Sequence, residues 1–474
     1  MAVVESLDKL NLPGDIVIEE ITIATPAGGA ANLKELMMSI EIFEDMYSNS
    51  LSGSLVISDS LALSNHLPIT GNERLKIVFY TPGQKDQPHK KIELNMVAYK
   101  IHKANVTDKA MVTVIDFVSE EFFINSMVRF SVSYKNMSYS EMAQKIFQEQ
   151  IVDVISKSQS ARQPTPSEGR SLVVVPTTGA DKAIVFPFWS PFYAINWLAN
   201  KSHTLIAPPG SGFGGITDKK TADYLFFQQL NGNYMFAPVS YFKAQAPVAR
   251  YRHAFANKQR DAEEFDNINE ITIVSLNNKL QDVSTGVYSS VLNTFDINKK
   301  KIGGDFYRYK EKFVETQHTD QYPLVPHSLD RFSDAILSYI KVLPKNSYKY
   351  DGIEDNEEHE KYALLRQSQM NQLNCITLQI KVKGDSRRRV GDVIYLDIPS
   401  PESLNGKGKG VNNDGSDKYL AGNYLVTKIN HSIGHQDYEL VMTVSKDSYR
   451  APVPDYKDTA DTGIYNPTIR ESRV

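Results

Sequence analysis

The chain has 474 residues, 41% of them apolar, enough for about three domains with real cores. Its 52 basic and 56 acidic residues leave a net charge of -4, without the basic excess that nucleic acid or an acidic membrane surface selects. Low self-repulsion of this kind fits a subunit that packs against copies of itself.

From residue 14 to about 120 the sequence reads as a run of strands. Asp15 to Ile23 is rich in β-branched residues and ends in a loop of small residues, Ala24 to Ala30. Met38, Ile40 and Ile42 alternate with Ser39, Glu41 and Phe43, the period of a strand. Leu51 to Ser58 is another strand, with Gly53 marking a bulge or a close backbone approach. Leu75, Ile77 and Phe79 alternate with Lys76, Val78 and Tyr80, and Lys91 to His102 and Ala110 to Val118 complete the set. Thr81-Pro82-Gly83 and Asn105-Val106-Thr107-Asp108 read as turns. Short strands at this spacing predict a barrel or sandwich.

Helices enter next. Ser138-Tyr139-Ser140-Glu141 is a capping box, opening a helix through Ile151 with Met142, Ile146 and Ile151 on one stripe. Ser156 to Arg170 is polar and reads as a loop. Ser190-Pro191 starts a second helix, Phe192 to Asn200, whose Phe192, Ile195, Trp197 and Leu198 are expected to pack rather than to bind a ligand. Pro208 to Gly215 is a glycine-rich loop, and Asn231-Gly232-Asn233 joins Tyr224–Phe227 to Tyr234–Pro238 as a hairpin.

Strands return at Ile271–Ser275, Val287–Thr294 and Gly304–Phe313. Ser328 to Leu343 reads as a helix with Phe332, Ile336 and Ile340 aligned, and the acidic stretch from Glu354 to Glu360 leads into another through Leu373. Residues 374 to 446 form a second compact β unit. Ile376, Leu378, Ile380 and Val382 alternate with polar residues, Gly391-Asp392 leads into Val393–Ile398, and Tyr419–Ile433 pairs with Tyr438–Lys446 across a turn. Asn405 to Lys418 is a hydrophilic loop, and the tail from Ala451 reads as an extended arm.

No stretch carries a specific catalytic signature. Gly210 to Gly215 lacks the strand before and helix after that a phosphate-cradling loop requires, and reads as a surface loop. His431 and His435 flank a turn without a third ligand. Arg387-Arg388-Arg389 reads as a solvated strand edge or an intersubunit contact rather than a nucleic-acid site. Cys375, the single cysteine, excludes an intrachain disulfide and a cysteine-based zinc site, and reads as a small buried hydrophobe. No catalytic, cofactor-binding or metal residue and no cofactor is expected, and the chain is expected not to be an enzyme. The N-terminus shows no signal peptide, and no window approaches the ~20 apolar residues of a membrane helix. A soluble product of a reducing cytoplasm, without a membrane anchor, is expected.

Two patterns resemble the central hub protein of the baseplate of contractile-tailed, T-even-type phages. One is Arg389 to Pro399 followed by Lys418 to His431, with its Gly-Asp turn opening a strand and its Leu420-Ala421-Gly422-Asn423-Tyr424-Leu425-Val426 run; it looks like the tube-type β domain of such hubs. The other is Phe188 to Ala199, similar to the Trp-Ser-led helix of the hub's middle domain. The resemblance implies a mainly β (α+β overall) protein, with two tube-type β-barrel-like domains flanking an α/β middle region. The expected division is 1–120 first tube-like domain, 121–265 middle domain, 266–373 mixed region and possible insertion, 374–450 second tube-like domain, and 451–474 arm. It implies a homotrimeric, pseudo-sixfold ring in the virion tail, joining the tail tube to the central spike and passing DNA without sequence-specific binding. The implied partners are further copies of the chain, the spike, tube or tube-initiator proteins, and the tape measure and baseplate wedge proteins. A tail adhesin or glycan-binding protein is the alternative.

Overall fold

The computed structural model describes residues 13–26, 28–59, 71–82, 91–107, 110–159, 171–179, 182–206, 219–253, 266–296, 298–325, 338–345, 358–400, 416–435 and 437–453. The expected loops at Pro208–Gly215 and 405–415, the acidic residues before Glu358, and the arm beyond residue 453 lie outside them.

The N-terminal region supplies β1 (Val17–Ala24), β2 (Ala30–Asn32), β3 (Met37–Asp45), β4 (Ser52–Asp59), β5 (Arg74–Tyr80), β6 (Ile92–Thr107) and β7 (Ala110–Ser119). They are hydrogen-bonded in the order β3-β4-β7-β6-β5-β1-β2, every neighbour antiparallel. In β4 the alternation is complete: Gly53, Leu55 and Ile57 are buried between half-exposed Ser52, Ser54 and Ser58. Gly53 is a close approach and not a bulge. A Cβ there would lie 2.2 Å from the Glu41 carbonyl oxygen and 2.5 Å from the Phe117 ring. The bulge falls instead in β3, between Met37 and Ser39, and turns Met38 out to 49% exposure, against its place in the apolar alternation. Asn105 to Thr107, expected in a turn, belong to β6, and Asp108 lies outside the described residues.

The middle region holds α1 (Glu120–Met127), β8 (Phe130–Met137), α2 (Tyr139–Phe147), α3 (Asp153–Gln159), β9 (Leu172–Val174), β10 (Lys182–Trp189), α4 (Pro191–Lys201), β11 (Thr204–Ile206), β12 (Lys219–Thr221), β13 (Tyr224–Gln228), β14 (Tyr234–Pro238), α5 (Val239–Lys243) and β15 (Ala249–Arg252). The capping box closes as expected: Ser138 Oγ accepts from the Glu141 amide, and the Glu141 carboxylate accepts from the Ser138 amide. Between α2 and α3, Gln148–Val152 is a π-helical turn. In an ideal α-helix Ile151, five residues after Ile146, would point away from it. The extra residue per turn brings it back, and Met142, Ile146, Ile151 and Ile155 are all buried on one face. The α3 helix carries the chain past Ser156, the expected start of a polar loop, to Gln159, and residues 160–170 lie outside the described residues. The hairpin β13–β14 turns at Gly232, φ +83°, with the Asn231 side chain accepting from the Asn233 amide.

The third region holds β16 (Ile268–Leu276), α6 (Lys279–Ser284), β17 (Ser289–Asp296), β18 (Lys301–Arg308), α7 (Tyr309–Lys312), β19 (Ile340–Lys345) and α8 (His359–Gln372). Two expectations are corrected here. The strand assigned to Gly304–Phe313 ends at Arg308, where Tyr309 turns helical and packs its ring at 5.6 Å on Tyr288. Ile340 to Leu343 form a strand and not the end of a helix. They pair in parallel with β17, which supplies the ladder that helical periodicity cannot foresee. Residues 326–337 of that expected helix lie outside the described set. The three-stranded sheet β18-β17-β19 encloses a small core with α8 around Leu292, Tyr307 and Leu364.

The last region holds β20 (Ile376–Lys383), β21 (Val393–Asp397), β22 (Gly422–Ile433) and β23 (Tyr438–Lys446). The first and last β units share one 13-stranded sheet. Its hinge is β22. One edge of this strand pairs with β23 from Leu425 onward, while the other pairs with β21 up to Leu425 and with β3 from Lys428 onward. The handover occurs at Thr427, where the register with β23 shifts and the Thr427 carbonyl accepts from the Met46 amide. β16 joins the outer edge of β20, and β15 pairs in parallel with β21, so strands from the middle and third regions complete the last β unit. The protein is mainly β, with helices gathered in the middle and third regions.

Candidate interaction surfaces and buried charge clusters

Where the regions meet, single carboxylates are shared. Glu44 leaves β3 into the interior, and its Oε1 accepts from the amides of Leu230 in the β13–β14 turn, 3.0 Å, and Val390 before β21, 3.1 Å. Its Oε2 lies 3.5 Å from His431 Nε2, while His431 Nδ1 meets the Tyr438 hydroxyl at 2.7 Å. One side chain thus ties the first β unit, the middle hairpin and the last β unit together.

A second cluster sits after β23. Asp447 is fully buried between the Lys243 ammonium of α5, 2.8 Å, and His318 Nδ1, 3.0 Å, and accepts from the Thr319 amide at 3.0 Å. Burial alone would raise its pKa. Lys243 and His318 overcome that and hold the carboxyl well below the usual range. Beside it, the buried Lys446 ammonium donates to the Tyr419 and Ala421 carbonyls and lies 3.3 Å from Asp320.

The arginine run is not a solvated edge. Arg387 and Arg388 both bond Asp385, at 2.7 and 3.2 Å, and Arg389 lies 3.7 Å from Asp392. Arg388 is only 9% exposed. Three charges on consecutive residues are tolerable because two aspartates within four positions fold back on them. Burial pushes Asp392 up to about 6, against the pull of Arg388 and Arg389.

Other residues singled out in the sequence fall as follows. His431 is buried in β22 and His435 lies in the turn after it. Cys375 is buried just before β20, and burial pushes its thiol up. Phe192 and Leu198 are buried, and Trp197 is partly buried, its ring packed on Phe186 and Trp189 at 6.2 and 5.7 Å with Lys201 over it at 4.4 Å. Among the described residues no group of three or more His, Cys, Asp or Glu could hold a metal ion, and no helix is long and apolar enough to cross a membrane.

The surfaces that sequence reading missed are apolar. The sheet β18-β17-β19 packs one face on α8; the other carries Ile302 at 87% exposure, Phe306 at 68% and Val342 at 58%. The edge strand β16 exposes Ile273 and Val274. In β10 a register break pushes Phe188 into left-handed backbone, φ +48°, with its amide donating to Ser131 Oγ and its ring 72% exposed. Such a conformation in a bulky residue costs about 1–2 kcal/mol. The signal for the apolar sheet face was present as alternation on both faces of β17 and β18, but a sequence does not say which face a partner takes.

No protein-family model and no curated protein matches the chain. Solved structures do. The 43 kDa tail protein of prophage MuSo2 from Shewanella oneidensis is 9% identical, with a TM-score of 0.51 over 91% of this chain and 99% of its own. A tail protein from Neisseria meningitidis MC58 is 11% identical, with a TM-score of 0.49 over 90% and 96%. An Escherichia coli component of the type VI secretion system, itself similar to T4 bacteriophage tail proteins, is 8% identical, with a TM-score of 0.39 over 93% and 79%. At these identities the likeness is one of fold, and it agrees with the resemblance read from the sequence: this chain has the fold of phage tail proteins.

Proposed function

We propose that the chain is a structural, non-enzymatic hub subunit of a phage tail baseplate, located in the virion. Three copies form a pseudo-sixfold ring that joins the tail tube to the central spike and lets DNA pass. The observation that carries this reading is the junction of β3 with β22, which sets two β units side by side in one sheet within each chain. Three subunits can match a sixfold tube only if each offers two docking units in the ring plane, and closed cyclic symmetry is the common outcome for self-complementary chains. Glu44 and Asp447 support it by fixing the relative position of the units through fully buried contacts. Spike, tube-initiator, tape measure and wedge proteins are the partners this role requires.

Light scattering or native mass spectrometry at micromolar concentration, alone and with a spike partner, tests the ring. A trimer burying on the order of 2,000 Å² or more per interface is expected. A monomer in both conditions would sink the hub and promote the second reading, a glycan-binding adhesin. The exposed rings of Phe188 and Tyr193 are the observation in its favour. Binding to host glycans that is lost in Tyr193→Ala would carry that reading instead.

A further inference from the structure

The sheets differ in how their end strands are guarded. The main sheet ends in β2, three residues long, and in β16, whose register with β20 breaks twice. The small sheet ends on one side in β19, which carries Lys341, Pro344 and Lys345. Short strands, bulges, prolines and lysines all keep an edge from pairing with other chains. The opposite end strand, β18, has no break and no proline. Its eight residues pair with β17 one for one, Gly303 and Gly304 leave its middle bare, and its one lysine, Lys301, is the first residue.

Antiparallel alternation decides which backbone groups of β18 lie open. The Val291 amide donates to the Tyr339 carbonyl just before β19, so Phe306, opposite Val291 in β18, points its own backbone away from β17. The Phe306 amide accordingly donates to the Asp305 side chain at 2.8 Å. Gly304 and Ile302, two and four positions earlier, present their amides and carbonyls the same way, without a further strand among the described residues. Asp305 is exposed, so releasing the Phe306 amide to an arriving strand returns its carboxylate to water.

Both surfaces beside this edge are apolar. A cleft of about 410 Å³ is lined by Asp305, Phe306 and Tyr307 of β18, Leu205 of β11, and Leu364 and Leu365 of α8. The charged groups around it are matched: Glu315 by Lys220 and Lys312, both at 3.1 Å, Glu360 by Lys345, and Lys361 by Glu358. On the outer face, exposure rises toward the edge, from 7% at Val291 and 38% at Phe295 in β17 to 68% at Phe306 and 87% at Ile302 opposite them. A strand laid on β18 alternates its side chains between these surfaces. One set enters the cleft beside Tyr307, and the other extends the row of Ile302 and Phe306.

The chain's own segments are poor candidates for that strand. Residues 207–218, which join β11 to β12, hold Pro208, Pro209 and four glycines, a composition that strands disfavour. Residues 326–337 lead into β19, at the far edge. A second β18, paired about a two-fold axis, would bring Lys301 and Asp305 to the cleft side, where the charges are already matched. We propose that β18 is a strand-addition site for an extended, uncharged segment of a partner protein, with apolar side chains on both faces. The small sheet is separate from the sheet that joins the two β units, so monomer and ring bind alike and the test is separate from that of the ring.

The probe is fluorescein-Gly-Thr-Val-Leu-Val-Thr-amide, titrated with the full chain and read by fluorescence anisotropy. Its counterpart N-methylated at Val, Leu and Val keeps the side chains and loses the hydrogen bonds. A saturable rise is expected, at least about tenfold tighter for the unmethylated peptide, with slowed hydrogen exchange at the Ile302 and Gly304 amides. Ile302→Lys sets a charge beside the edge, and Leu205→Glu sets one in the cleft; both positions are exposed. Each should weaken binding by about tenfold or more with unchanged melting. Equal binding of the two peptides, wild-type affinity in both variants, or no saturable rise up to about 1 mM overturns the proposal. A smaller assembly of the chain alone in Ile302→Lys, read by light scattering, would make the edge a contact between copies and overturns it as well. Silence of the wild type with a response in Phe213→Ser would give the cleft to the chain's own glycine-rich segment, and overturns it too.

Discussion

The main sheet and the small sheet β18-β17-β19 are built from strands of similar length, but they use their faces differently. In β4 and β5 of the main sheet the buried residues, Asp59 at the end of β4 apart, are apolar or glycine, and the others are largely serine, lysine or arginine. In the small sheet both faces are apolar: Leu292 and Tyr307 close the core against α8, while Phe306, next to Tyr307, and Ile302, on the same outer face as Phe306, stand in solvent. The interior of the main sheet is closed within one chain, where Glu44 Oε1 and the Asp447 carboxylate accept from groups of other regions. The small sheet is finished on one side only. Burial of a strand's apolar residues follows from the pattern of one chain, but the second face of a short sheet is meaningful only with the molecule that covers it.

The largest expected effect breaks the finished side of the comparison. Asp447→Ala strands the Lys243 ammonium, 1% exposed, beside His318 in the interior, and should cost about 3–5 kcal/mol in chemical denaturation. Adding Lys243→Met should recover a large part of that loss. A single mutant with wild-type stability would mean that the regions are not held through this cluster.

Next in size is an opposition in pH dependence between two buried carboxylates. Asp447, with its pKa depressed in the folded state, contributes stability that is complete above the unfolded value of about 4 and is lost as pH falls below it. Asp392 is raised to about 6, so the folded state keeps a proton that the unfolded chain has released. Its contribution therefore declines as pH rises from about 4 to 6, by at most about 3 kcal/mol, and is flat above. Stability measured from pH 3 to 8 should lose the slope between 4 and 6 in Asp392→Asn and keep the acid limb. An unchanged slope in that variant would show that the Arg388 and Arg389 charges hold Asp392 ionised throughout.

How much of this was legible differs by range of interaction. Local chemistry read well: the capping box at Ser138, the hairpin at Gly232 and the alternation of β4 depend on residues within a few positions of one another. Period alone misled where backbone irregularity shifted the phase. The bulge after Met37 exposed Met38, while the π turn at Gln148 kept Ile151 on its stripe. Ile340 to Leu343 fit a helical period but became a strand because β17 offered a parallel edge. The charged clusters were not legible at all. Glu44 finds its acceptor role from amides 186 and 346 positions away, and Asp447 meets Lys243 across 204. The arginine run was misread for the opposite reason: its neutralising aspartates, Asp385 and Asp392, were in plain view but their direction was not.

The smallest effect on stability probes the unfinished side. Ile302→Ser with Phe306→Ser removes two large apolar side chains from β18, yet both are already in water, so the fold loses little that burial had given it. The change in unfolding free energy should stay within about 0.5 kcal/mol, the ordinary range for surface positions. Leu292→Ala, on the neighbouring strand but facing α8 with no exposure, should cost about 2–5 kcal/mol through the cavity it leaves. A dye that fluoresces on apolar surface should bind the wild type more than the serine double mutant, because Phe306, Ile302 and Val342 form one open patch across adjacent strands. The two faces of one thin sheet would then differ about fivefold or more in what a truncation costs. If the serine pair destabilised the protein as much as Leu292→Ala, the outer face would be covered within the single chain, and the small sheet would be as complete as the large one.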